Sequence, residues 1–169
     1  MVVIRKESAT DIPTIYRVNE RAFGQTEEAN LVDMLRANGK AVVSLVAEHD
    51  GQIVGHILFS PVTLEPADKE LFALGLAPMA VLPKFQNQGI GSLLVRAGLK
   101  ECRKQGCDFV AVLGHPAYYP RFGFVPSINF NIKSEYNVPD DVFMLLELRD
   151  GALSGCSGIV KYQPEFAAV

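Results

Sequence analysis

The segment FQNQGIGSLL, residues 85–94, lies where an apolar stretch ends and a helical pattern begins. Gly89 and Gly91 fall at this junction, and the apolar spacing after them predicts a helix that continues to about Gln105. The N-terminus of a helix has N–H groups without helical partners and roughly half a positive charge, so it binds anions without a basic side chain. Glycine lets a phosphate approach the main chain. The segment therefore predicts a phosphate or pyrophosphate site formed by main-chain amides.

Two common phosphate-binding motifs do not fit this segment. The NTPase phosphate loop needs a lysine before its serine or threonine, whereas Ser92 directly follows Gly91 here. The dinucleotide fingerprint needs a third small residue where this chain has Leu94, and an acidic residue after a second strand that is missing at the required distance. Gln86 and Ser92 add side-chain donors. On the glycines alone, a tight strand-to-helix turn without a ligand explains the sequence equally well.

Outside this segment, strand and helix patterns follow one another in the order β-α-α-β-β-β-α-β-α-β-β. Residues 8–11, SATD, are typical of a capped helix start, and Asp50-Gly51 between two β-branched runs predicts a tight hairpin. The apolar run over residues 71–83 predicts a central strand. Pro78 within it predicts a bulge or a splayed pairing, because proline cannot donate to the ladder. The order predicts an α/β arrangement around a mixed sheet.

Composition limits the class of protein. A chain of 169 residues with 49% hydrophobic residues predicts one domain, residues 1–169, with a core of its own. The net charge of −3 argues against general nucleic-acid binding or anionic-membrane binding. Three cysteines without metal-ligand spacing predict free thiols in a reducing compartment and no metal site. No signal-peptide pattern begins the sequence, and we expect a cytoplasmic protein.

Two motifs together carry a family resemblance. Residues 79–99, MAVLPKFQNQGIGSLLVRAGL, resemble the acyl-CoA-binding motif of the GNAT superfamily of N-acetyltransferases. The matching positions are Val81, Pro83, Gln86, Gly89 and Gly91. Residues 118–124, YYPRFGF, resemble that family's second motif through Tyr119, Gly123 and Phe124. The sequence is similar to the bacterial YhbS-like subgroup of predicted acetyltransferases, which carries the same GHPxYYxRFGF block. The part of the chain that contains both motifs, the motif core, spans residues 71–126.

The resemblance implies the GNAT fold: an α/β (α+β) protein with a mixed, mostly antiparallel central sheet, a splayed central strand pair and flanking helices. It implies acetyl-CoA as co-substrate. Main chain of Met79, Ala80 and Val81 would pair with the pantetheine arm, and Tyr119 would be the catalytic acid. The coenzyme pyrophosphate would lie on the loop residues Gln86, Asn87, Gln88, Gly89, Ile90, Gly91 and Ser92. Many relatives place an asparagine before the tyrosine, where His115 stands nearest here.

The implied activity is transfer of an acetyl group to a primary amine by direct attack in a ternary complex, because no cysteine occupies a motif position. The alternative is a non-catalytic acyl-CoA-binding regulatory domain, and a third reading is a nucleotide-binding module. The acceptor, a small molecule or a peptide, is not identified by the sequence. The sequence also does not decide between a monomer and a homodimer, and it does not assign a role to the C-terminal extension, residues 151–169.

Several residues near the motifs have two readings that the sequence leaves open. Tyr118 competes with Tyr119 for the acid role, or closes a turn against the core. His56 and His115 are either bases or structural histidines. Glu27 and Glu28 either attract a cationic amine or favour the dipole at a helix start. Lys84 and Arg121 either contact the coenzyme's ribose phosphate or are solvated cations.

Overall fold

The computed structural model describes residues 1–169 and contains nine strands and three α-helices. The strands are β1 (Val2–Lys6), β2 (Val43–His49), β3 (Gln52–Glu65), β4 (Ala73–Val81), β5 (Phe109–Leu113), β6 (Val125–Pro126), β7 (Ile132–Ser134), β8 (Phe143–Glu147) and β9 (Gly158–Lys161). The helices are α1 (Ile12–Phe23), α2 (Glu27–Ala37) and α3 (Ile90–Lys104). None of these helices is both long and apolar enough to span a membrane.

The strands form a mixed sheet in the order β1-β2-β3-β4-β5-β8-β6, and β9 pairs with β3 and β7. Most neighbours are antiparallel, but β4 pairs with β5 in parallel, from Ala73 opposite Phe109 to Gly75 opposite Ala111. This ladder ends at Gly75, although β4 continues to Val81. The predicted fold class, a mixed and mostly antiparallel sheet with a splayed central pair, is confirmed, and the pairing stops before Pro78.

The chain divides into two compact units. The first comprises residues 1–60, 77–101 and 164–169, and its core includes the buried apolar faces of α1 and α2. The second comprises residues 61–76 and 102–163, and its core is centred on the paired strands β5 and β8. The single domain expected over the whole chain stays a prediction.

Local signals of the sequence explain where the first elements begin. The Ser8 N–H donates to Asp11 Oδ2 at 2.7 Å, which satisfies one amide just before α1. The Arg5 guanidinium, 2.7 Å from that carboxylate, is the main reason that the pKa of Asp11 lies far below its usual range. The predicted hairpin is confirmed, because Asp50 (φ +50°) and Gly51 (φ +79°) both have the left-handed backbone of a tight primed turn.

Three short elements differ from the predicted order. Residues 119–122 form a 3₁₀ turn and not an α-helix. The strands β6 and β7 have two and three residues, and the predicted order did not separate them from the loops around them. Runs this short have no readable periodicity, since the alternation that marks a strand needs about four residues or more.

Candidate active site

The loop between β4 and α3 is held by the first unit's own backbone. After Val81, the Leu82 N–H donates to the Val54 carbonyl at 2.8 Å, and a 3₁₀ turn, Pro83–Phe85, follows. The Phe85 ring lies 5.2 Å from the His49 ring, centroid to centroid. These contacts fix the point from which the exposed residues 86–89 leave the sheet.

Gly89 is the residue from which α3 begins. Its carbonyl accepts the Leu93 N–H at 3.1 Å, so the N–H groups of Gly89, Ile90 and Gly91 have no carbonyl partner within the helix. Gly89 has φ +86°, and a Cβ built on it would meet no atom within 4 Å. The space beside Gly89 is therefore open, and the helix dipole makes it favourable for an anion.

Two glutamine side chains stabilise this loop through hydrogen bonds to nearby backbone carbonyls. Gln86 Nε2 donates to the Val81 carbonyl at 3.0 Å, and Gln88 Nε2 donates to the Lys84 carbonyl at 3.1 Å. The Gln86 N–H, 3.4 Å from the Pro83 carbonyl, closes the 3₁₀ turn. The sequence predicted that the Gln86 side chain would donate to a ligand, but this side chain donates to the Val81 carbonyl instead. Asn87, with φ +62°, completes the turn.

The other predicted residues of the first unit lie on either side of this loop. Met79, Ala80 and Val81 are the last three residues of β4, beyond the end of its ladder with β5. Ser92 lies in the first turn of α3. The structure therefore brings the predicted strand end and the predicted loop together in one continuous segment, residues 79–92.

Tyr119 lies in the second unit, in the 3₁₀ turn Tyr119–Phe122 that ends at Gly123 with φ +99°. The residue is 8% exposed, and its ring packs edge-on against Tyr118 and Phe124, with centroid distances of 5.0 Å and 5.7 Å. Burial, reinforced by Tyr118, raises the pKa of Tyr119 to about 12. The phenol therefore stays protonated at neutral pH, which is the form that an acid catalyst needs.

Tyr118 has different surroundings. The Arg121 guanidinium carbon lies 4.4 Å from the centre of the Tyr118 ring, and Arg121 Nε donates to the Tyr118 carbonyl at 2.8 Å. Tyr118 thus forms a layer between an exposed cation and the Tyr119 ring. These contacts give both Tyr118 and Arg121 roles in holding the turn.

His56 is fully buried and belongs to a polar network of the first unit. Asn19 Nδ2 lies 3.2 Å from His56 Nδ1, and Ser44 Oγ lies 2.9 Å from His56 Nε2. Ser44 also donates to Glu7, which Arg36 holds at 2.9 Å. Desolvation lowers the pKa of His56 to about 4 despite the nearby Glu7 carboxylate. A neutral imidazole with both nitrogens engaged favours the structural reading of His56.

The remaining candidates have local partners. His115 Nδ1 accepts the Ala117 N–H at 3.2 Å, which stabilises the turn before Tyr119. Glu28 accepts from Gln25 at 2.9 Å, at the first turn of α2 that also contains Glu27. Lys84 is exposed in the turn before the loop. Gly114 was not among the residues predicted from the sequence, although it begins the GHPxYYxRFGF block, and a Cβ built on it would clash with the Tyr119 ring.

The family of the chain is shown by its match to a known family of proteins. Residues 11–124 match the acetyltransferase (GNAT) family, and the chain belongs to this family. The family resemblance that was based on the two sequence motifs is therefore confirmed.

Individual relatives cover nearly the whole chain. The Escherichia coli K12 protein YhbS, an uncharacterized N-acetyltransferase, is 36% identical over 166 residues, which are 98% of each chain. The crystal structure of E. coli YhbS in complex with CoA superimposes with a TM-score of 0.92 and covers 98% of this chain and 92% of that one. A GNAT family acetyltransferase from Brucella melitensis, crystallised with acetyl-CoA, is 37% identical with a TM-score of 0.81 and covers 98% of each chain.

Proposed function

We propose that this chain transfers an acetyl group from acetyl-CoA to a primary amine. The observation that carries the proposal is the open N-terminus of α3, where nothing lies within 4 Å of a Cβ built on Gly89. Family membership and the two relatives crystallised with CoA or acetyl-CoA support it. A regulatory domain that binds the coenzyme without chemistry is the alternative, and no comparison favours it.

We infer that residues 79–92 would bind the coenzyme. The amides of Gly89, Ile90 and Gly91 would hold the pyrophosphate, with Asn87, Gln88 and Ser92 beside them. Gln86 would act mainly through the loop shape that its bond to Val81 maintains. Main chain of Met79, Ala80 and Val81 would pair with the pantetheine arm, because these residues extend beyond the ladder with β5.

Direct attack by the amine is supported by the burial of two of the three cysteines. Cys102 and Cys107 are buried, and burial raises the pKa of the Cys107 thiol to about 12, so it is not a thiolate at neutral pH. In the proposed reaction, the amine nitrogen bonds to the carbonyl carbon and the C–S bond breaks. The leaving sulfur takes the proton of the Tyr119 phenol, and the amine loses a proton to water, which reprotonates the phenol.

Water is the proposed proton acceptor because the residues of β4 include no ionisable side chain, and His56 is engaged by Asn19 and Ser44. Only an amine that is neutral at the moment of attack is a nucleophile, so turnover should rise with pH until the amine is deprotonated. This rise belongs to the acceptor, and its midpoint should follow the pKa of the amine that is used.

The test is a panel of amines with acetyl-CoA, with release of the CoA thiol as the readout. The panel should contain a polyamine, an aminoglycoside, an amino acid and a peptide with a free N-terminus. Thiol release that depends on one of these amines, with an acetylated product of matching mass, supports the proposal. Tight acetyl-CoA binding without turnover across the panel would favour the regulatory alternative. Binding of ATP or NAD that CoA cannot displace would favour a nucleotide-binding module.

A further inference from the structure

Gly114 is the first residue after β5, and its backbone does not require glycine. Its N–H donates to the Val142 carbonyl at 2.9 Å, which extends the pairing of β5 with β8 by one residue. Its φ lies outside the left-handed region that is costly for other residues. Alanine is therefore compatible with the backbone at this position, and a reason for glycine must lie in its surroundings.

The reason is the Tyr119 ring. A Cβ on Gly114 would lie 2.3 Å from Cε2, 2.6 Å from Cδ2 and 3.3 Å from Cζ of Tyr119. The ring has no space to yield easily, because Tyr118 and Phe124 pack edge-on against it and it is buried. The bare α-carbon of Gly114 thus forms one wall of the space that the ring occupies.

We propose that Gly114 is a positioning residue that fixes the place of the Tyr119 hydroxyl. This inference rests on the proposed function, in which that hydroxyl protonates the leaving sulfur. A proton donor acts only within hydrogen-bond reach of its target, and a misplacement of about 1 Å can cost roughly 10²-fold in rate. A methyl group at residue 114 would push the ring at the edge next to Cζ, the carbon that carries the hydroxyl.

The test compares Gly114→Ala in two backgrounds, with acetyl-CoA and the most active amine of the panel above. In the wild-type background, kcat should fall roughly 10-fold to 10²-fold, whereas KM for acetyl-CoA should change little. In the Tyr119→Phe background, Gly114→Ala should have almost no further effect on kcat, because no hydroxyl remains to be misplaced. Gly114→Ala should lower Tm in both backgrounds, because phenylalanine keeps the ring atoms that would clash with the new Cβ.

Gly75→Ala is the matched control. A Cβ at Gly75 would also be crowded, at 2.9 Å from Tyr162 and Val62 in the same unit, but it touches no residue of the proposed machinery. Gly75→Ala should lower Tm and leave kcat near the wild-type value. Loss of kcat in Gly75→Ala to the same extent as in Gly114→Ala would assign the effect to general overpacking and overturn the inference.

The outcomes separate this inference from the proposed function. Unchanged kcat in Gly114→Ala, or an equal loss in both backgrounds, overturns the positioning role while the acid role stands. Unchanged kcat in Tyr119→Phe alone overturns the acid role and the positioning role with it. If Gly114→Ala does not fold, Gly114→Ala/Tyr119→Leu should still fold and melt like Tyr119→Leu; a large Tm difference between those two would show that the crowding is not with this ring.

Discussion

Gly89 and Gly114 follow the ends of neighbouring strands, but their surroundings are opposite. A Cβ on Gly89 would meet nothing within 4 Å, whereas a Cβ on Gly114 would lie 2.3 Å from the Tyr119 ring. Gly89 also needs its φ of +86°, while Gly114 has no such need. The space at Gly89 is therefore available to another molecule, and the space at Gly114 is filled by the protein itself.

From this difference we expect the two motifs to have different roles in this chain. The loop of residues 86–92 offers backbone amides, a dipole and open space, which are means of binding an anion. The turn that contains Tyr119 offers a single buried hydroxyl on a ring with neighbours on several sides. Mutations in the loop should therefore change affinity, and mutations in the turn should change turnover.

Tyr119→Phe tests the turn most strongly. It removes the hydroxyl and keeps the ring, so Tm and acetyl-CoA affinity should change little, while kcat falls by roughly 10² to 10⁴, the usual contribution of one acid catalyst. Steady-state kinetics with the best acceptor measures this. Tyr118→Phe is the control and should stay near wild type. An inactive Tyr118→Phe together with an active Tyr119→Phe would assign the acid role to Tyr118. If both variants are active, neither tyrosine is the acid.

Gly89→Glu tests the loop. The new carboxylate would face the pyrophosphate, and like charges in contact cost several kcal/mol, so affinity for CoA should fall by roughly 10²-fold or more. Calorimetric titration with CoA measures this. Gly106→Glu is the matched control, since Gly106 has φ +83° and equally open space at the other end of α3. It carries the same backbone strain and should bind CoA normally. Equal losses in both variants would count against the loop assignment.

The raised pKa of Tyr119 makes a prediction about alkaline stability. The folded pKa of about 12 lies above the ordinary value of 10.0, so between these values the folded state keeps a proton that the unfolded chain loses. The free energy of unfolding should therefore fall as pH rises through this window, by up to roughly 2 kcal/mol from this group. Urea unfolding of wild type and Tyr119→Phe at pH 9.5, ~10.5 and ~11.5 isolates it. Parallel curves for the two proteins would refute the burial of this phenol.

Lys84→Ala should have the smallest effect. Lys84 is exposed, and the proposed site relies on main-chain amides, so CoA binding should weaken by no more than about 1 kcal/mol, or roughly fivefold. The same calorimetric titration applies, with Lys104→Ala at the far end of α3 as the control. A loss of several kcal/mol would make Lys84 a principal phosphate ligand and the main-chain description incomplete.

The features that the sequence predicted well depend on neighbouring residues. Asp50-Gly51 determines a primed turn by itself, and Gly89 with the apolar spacing after it determines where α3 begins. The mostly antiparallel sheet with a splayed central pair was predicted from the family resemblance, because patterning does not say which strands pair; the order of the strands came only from the structure.

The features that were missed or left open depend on contacts between distant segments. The sequence offered Gln86 as a donor for the ligand, but its side chain reaches back to Val81, which only the path of the turn reveals. His56 has both ring nitrogens engaged by residues from α1 and β2, and no local pattern encodes that burial. The need for glycine at position 114 is explained only by the Tyr119 ring, whose position follows from the turn at residues 119–122.

The central claim, that the amides at the start of α3 bind the coenzyme, can be measured directly. The protein has a mass of 18.5 kDa and is suitable for backbone amide NMR with ¹⁵N labelling. Titration with CoA should produce the largest amide shifts at Gly89, Ile90 and Gly91, and Gly89→Glu should abolish them at the same CoA concentrations. Saturable CoA binding that leaves these three amides unmoved would contradict the account.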